Sequence, residues 1–103
     1  NTLSVMTIAP DVEQLISTNI QQTEHGSYLA LEPNMQESII RNVVSEYERI
    51  AHQMDQIVIL CSPTIRMYVK QLIERSLPHV AVLSYNELES NIQIQSVGVV
   101  NVS

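Results

Sequence analysis

Five apolar residues follow one another without a break at Ile57, Val58, Ile59, Leu60 and Cys61, and this run limits what the chain can fold into more than any other feature. A strand with one wet face alternates apolar and polar side chains, so an unbroken run describes a strand covered on both faces. We therefore place residues 56–61 in the middle of a mostly parallel sheet. Ser62 as an N-cap and Pro63 at the first helical position predict that a helix starts directly afterwards. Ile65, Tyr68, Val69, Leu72 and Ile73 fall on one helical face, so Leu72 is expected to be buried there, and Pro78 closes the helix.

The segments on either side supply similar units. Residues 3–8 predict a strand with Leu3, Val5 and Thr7 on one face, stopped by Pro10. Asp11 is placed to cap a helix carrying Val12, Leu15, Ile16 and Ile20, which runs out in the polar residues 21–27, with Gly26 available for a left-handed turn. A short second strand follows at residues 28–32. Asn34 and Glu37 then have the spacing of a capping box at the start of the longest helix. That helix carries Met35, Ile39, Val43, Tyr47, Ile50 and Met54 on one stripe, and the two methionines read as core filler. Residues 80–85 predict another strand and residues 86–91 a polar connection. A last strand over residues 92–102 alternates Ile92 and Ile94 with Gln93 and Gln95, as an exposed edge strand does.

The predicted order is thus β-α-β-α-β-α-β-β, an α/β fold with a small, mostly parallel sheet flanked by helices and an edge C-terminal strand. A length of 103 residues predicts one unit over residues 1–103. Four Tyr and no Phe or Trp imply an aliphatic core.

Five Lys and Arg against eleven Asp and Glu leave a net charge of −6, which disfavours nucleic acid and anionic membranes. No apolar run approaches the roughly 20 residues needed to cross a bilayer, and the start lacks a signal-peptide pattern. One cysteine cannot form an internal disulfide and fits a reducing compartment. A first residue of Asn1 suggests a fragment of something longer.

Chemistry could be carried by Cys61, which stands between the apolar run and a predicted helix start, where α/β folds place thiolates and bind anions. Against this, a phosphatase-type loop needs five residues between cysteine and arginine, whereas four separate Cys61 from Arg66, and the loop contains no glycine. A phosphocysteine carrier would be expected to hold its cysteine after the first strand rather than the third. A small cytosolic thiol enzyme or phosphocysteine carrier using Cys61 remains one reading, and a buried strand-end cysteine the other. His25, His52 and His79 have no partners at metal-ligand spacing, Glu46 and Glu48 with Arg49 and Lys70 with Glu74 read as solvated helix faces, and no cofactor motif occurs. No catalytic, cofactor-binding or metal residue is assigned.

The last third is more specific. Ser62, Pro63, Ile65 and Arg66, then Leu77 and Pro78, then residues 82–87 with Ser84, Tyr85, Asn86 and Glu87, resemble the end of the FlhA/LcrD/InvA (FHIPEP) export-gate family of type III secretion. Residues 10–13 and 31–33 look like the preceding part of the same subdomain, and residues 92–100 look most like the flagellar branch. The resemblance implies the terminal cytoplasmic subdomain of an inner-membrane protein whose cytoplasmic half forms a ring, thought to be nonameric. It implies a non-enzymatic scaffold or docking role and no cofactor. The implied partners are the other cytoplasmic subdomains, ring copies, export chaperones, substrates and other export-apparatus proteins, with membrane contact only through upstream segments. It also makes Ser62, Pro63, Arg66, Pro78, Ser84, Tyr85, Asn86 and Glu87 a structural motif, with a hinge expected at or before residues 1–5.

Overall fold

The computed structural model describes residues 2–54 and 56–101. In chain order it contains β1 (Thr2–Ile8), α1 (Pro10–Ser17), β2 (Ile20–Thr23), β3 (Gly26–Leu29), α2 (Pro33–Ala51), β4 (Ile57–Cys61), α3 (Arg66–Ile73), β5 (Val82–Ser84), a 3₁₀ turn (Tyr85–Glu87) and β6 (Gln93–Val100). Four of the strands form one parallel sheet in the spatial order β5-β4-β1-β6. The apolar run is β4, all five of its residues are buried, and it lies between β1 and β5 as expected. β6 forms the edge, with Gln93 to Ser96 exposed. Val102, where the last strand was expected to end, lies outside the described residues, as does Asn1.

Topology decides how the two faces are covered. The steps from β1 to β4 and from β4 to β5 go the same way across the sheet, so right-handed crossovers put their helices on one side. Val12, Ile16, Ile39, Val43, Ile50, Ile65, Tyr68 and Ile73 accordingly share one core with Met6, Ile8, Ile57, Ile59 and Cys61. The step from β5 back to β6 goes the other way and passes over the opposite face. There Leu88, Leu3 and Leu83 pack against Val5, Val58 and Leu60. Helices therefore cover one face, and a connection without an α-helix crosses the other. Tyr68 is the one buried aromatic in an otherwise aliphatic core.

Several local expectations are overturned. α1 ends at Ser17, ahead of Gly26, because Thr18 Oγ1 donates to the Gln14 carbonyl at 2.8 Å and Asn19 Nδ2 to the Leu15 carbonyl at 2.7 Å, closing the last turn. The polar residues beyond it form the antiparallel β2–β3 hairpin, separate from the main sheet. Gln21, Gln22 and Ser27 are exposed there and would be costly inside a sheet covered on both sides. Gly26 does take a left-handed φ of 122°, at the hairpin turn. The expected second strand overlaps β3, the second strand of this hairpin, only at residues 28 and 29, and the order contains one strand more than predicted. Pro10 and Pro33, not Asp11 and Asn34, mark the helix starts, each as the first helical residue behind an N-cap that makes no side-chain bond. Conversely, Ser62 and Pro63 do not start α3. Residues 63–65 form a turn in which the Ile65 N–H donates to the Ser62 carbonyl at 3.3 Å and Ile65 reaches the core, and the helix begins at Arg66. On α3 the buried residues are Tyr68, Val69 and Ile73, while Leu72 is only partly buried and lines a groove with Tyr28 and Gln36.

Candidate functional site at the carboxyl edge of the sheet

The carboxyl ends of β4 and β5 bring the two halves of the sequence motif together. β4 ends at Cys61 and leads into Ser62 and Pro63; β5 ends at Ser84 and leads into the 3₁₀ turn. Arg66 Nε lies 2.9 Å from Glu87 Oε1, a pair that joins the first residue of α3 to the last residue of the turn. The same carboxylate oxygen accepts the Ser84 N–H at 2.8 Å and the Ser84 hydroxyl at 2.9 Å, and that hydroxyl also touches the Asn86 side-chain oxygen. Ser84 and Glu87 thus form a capping box around a single 3₁₀ turn. The Ser-x-x-Glu spacing stands in the sequence, but there Ser84 reads as part of a strand over residues 80–85 and Glu87 as part of the polar connection over residues 86–91. Pro78 stands apart on the connection entering β5, where Lys70 Nζ donates to the Val80 carbonyl at 2.9 Å instead of pairing with Glu74.

Electrostatics show what this edge can do. The backbone N–H of Ser84 and then its hydroxyl hold the Glu87 carboxyl below its ordinary range, with Arg66 adding to the effect. A carboxylate bound in this way is a structural acceptor and a poor proton donor near neutral pH. Cys61 is fully buried. Desolvation pushes its thiol up to about 12, with the negative charge of Glu13 acting in the same direction and outweighing Arg66. Glu13 Oε2 also accepts the Ser62 N–H at 3.0 Å, occupying a backbone donor that an anion-binding turn would offer. Burial, and after it the negative charges of Glu13 and an ionised Cys61, raise Tyr85, about half of which is exposed. His79 Nε2 lies 3.1 Å from Tyr47 Oη, and among the described residues no group of three or more His, Cys, Asp or Glu is arranged to hold a metal ion.

A pH dependence follows. The unfolded chain takes up a proton at Glu87 near the ordinary value of about 4.3, and the folded chain only at a lower pH. The stabilisation is therefore fully present above the unfolded pKa and is lost as pH falls through the folded one. Glu87→Gln should flatten the acid limb of a stability profile below about pH 4.5 while changing its alkaline limb little. An unchanged acid limb would show that the Arg66–Glu87–Ser84 arrangement does not persist in solution.

Comparison with known proteins assigns this architecture. Residues 1–93 match the FHIPEP family. The chain belongs to that family. The flagellar biosynthesis protein FlhA of Bacillus subtilis is 52% identical over 100 residues, covering 97% of this chain and 15% of FlhA. Among solved structures, the nonameric EPEC SctV-C superposes with a TM-score of 0.83 at 37% identity, covering 97% of this chain and 29% of that one. The CdsV protein in the Chlamydia pneumoniae CdsV and CdsO complex superposes at 0.84 and 34% identity, covering 97% and 29%. This FHIPEP chain therefore spans a small part of the proteins it matches. No helix among its described residues is long and apolar enough to cross a membrane.

Proposed function

We propose that this chain is a non-enzymatic scaffold and docking subdomain of the flagellar type III protein export gate, helping to receive and pass export substrates and chaperone complexes. The observation that carries the reading is the 52% identity to a flagellar FlhA across nearly the whole chain. Residues 1–103 act as one terminal cytoplasmic subdomain of a larger inner-membrane protein, on the cytoplasmic face, with membrane attachment through other segments. The nonameric state of SctV-C and the CdsV–CdsO complex support a ring of copies that meets a further protein of the apparatus. Ser62, Pro63, Arg66, Ser84, Tyr85, Asn86 and Glu87 serve as a brace at the carboxyl edge of the sheet, and Pro78 shapes the entry to β5. The brace keeps the subdomain rigid, so it acts by its placement relative to its neighbours. The pairing of Thr2 to Val5 within the sheet supports treating them as part of the rigid body, with the hinge ahead of them.

The test is a crosslink in the full-length protein between a cysteine introduced at exposed Glu89 and one in the preceding cytoplasmic part. Motility and flagellar secretion should be lost when the bond forms and return on reduction, with protein level and membrane insertion unchanged. Normal export from cells in which the crosslink is complete would overturn the moving-subdomain reading.

A further inference from the structure

β6 is an unusual edge strand. After Glu89 the sequence has no charged residue, so β6 carries none of the charges that commonly protect an edge, in a chain whose net charge is −6. Ile94 is 46% exposed and Val99 44% exposed. Their partners in β1 are Leu3 and Thr7, which places both on the face without helices. Like charge keeps two copies apart over most of their surface, and this neutral strand is where that repulsion is weakest.

The protection comes from α2 instead. Glu46 Oε2 accepts the outward-facing N–H of Val99 at 3.3 Å, and Asn42 Nδ2 donates to the Asn101 carbonyl at 2.8 Å. Gly98 makes the approach possible, because a Cβ there would stand 2.5 Å from Glu46 Oε2. Arg49 holds the carboxylate from the next turn at 2.6 Å, and that pairing keeps Glu46 ionised, its carboxyl held below the ordinary range. A bulge lies immediately before this point: Val5 pairs with Ser96 and Met6 with Gly98, so Val97 is the extra residue. The bulge and the carboxylate together leave only Gln93 to Ser96 as regular, open edge, shorter than the roughly five to six residues of an ordinary strand.

We propose that Glu46, seated over Gly98, guards the edge of β6 against strand pairing with a second copy of this chain. The guard is independent of the export-gate reading. It matters wherever copies are held at high local concentration, because an open, neutral edge is a template for its own duplicate.

The test uses the 103-residue chain and its variants in sedimentation equilibrium, with circular dichroism to establish that each is folded. Glu46→Ala should self-associate at least about tenfold more tightly than the parent, and backbone amides of residues 93–99 should gain hydrogen-exchange protection in the associated form. Adding Gln95→Lys to that variant puts a charge back on the edge and should return it to the parent's behaviour, which association through unfolding would not do. Arg49→Ala should associate less than Glu46→Ala, since the carboxylate stays over the strand. Equal association constants for the parent and Glu46→Ala, or association that Gln95→Lys does not reduce, would overturn the proposal.

Discussion

Replacing Ile59 by alanine is expected to destabilise the fold by about 2–5 kcal/mol, a large part of the roughly 5–15 kcal/mol that holds a domain of this size. Ile59 is fully buried in the core that the three helices share with the sheet. Its neighbours in the sheet are Met6 on one side and Val82 on the other, so both flanking strands hold the backbone in place. With its neighbours fixed, the structure relaxes little around the missing atoms, and the cavity adds to the lost burial. Leu72→Ala should cost less, below about 2 kcal/mol, because Leu72 is already partly exposed beside the hairpin. Urea titrations of both variants give the comparison. Equal midpoints would mean that the helix-covered side of β4 is not the main core.

Cys61 is expected to be close to inert in the folded chain. A thiol raised from 9.0 to about 12 presents about a thousandfold less thiolate at neutral pH, and burial then blocks access to what remains. A thiol reagent should therefore label the native protein at least about a thousand times more slowly than the urea-unfolded chain. The sign of the stability effect follows from the same shift. The folded thiol keeps its proton to a higher pH than the unfolded one, so the contribution is fully present below about 9 and is lost as pH rises towards 12. Cys61→Ala should remove that part of the alkaline decline. If the proposed export-gate role holds, the same variant in the full-length protein should leave motility intact. Fast native labelling, or lost motility at normal protein level, would revive the thiol-enzyme or phosphocarrier reading.

The identity of each element depended on how local its cause is. The position of β4 could be read from five apolar residues, because only a strand covered on both faces needs such a run. The edge position of β6 could be read from the alternation of Ile and Gln. The hairpin could not be separated from the end of α1, since Thr18 and Asn19 end that helix through their own carbonyl bonds and polar residues 21–27 suit a loop equally well. At Ser62 and Pro63 the local helix-start signal was strong, and it lost to the tertiary requirement that Ile65 reach the core and that the Ser62 N–H meet Glu13.

The candidate site divides in the same way. The sequence by itself singled out residues 62–66 and 84–87, through the resemblance they carry, but left Ser84 in a strand and Glu87 in a polar connection. It also pointed to the family that residues 1–93 match. Only the tertiary structure decided that Arg66 and Glu87, far apart in the chain, form an ion pair, that Cys61 is fully buried and its thiol pushed up, and that Glu46 lies over Gly98. The physical reason is range. Turn chemistry and hydrophobic periodicity act over a few residues and leave a mark on the sequence, whereas burial, charge pairing and close approach depend on which strands the crossovers bring side by side.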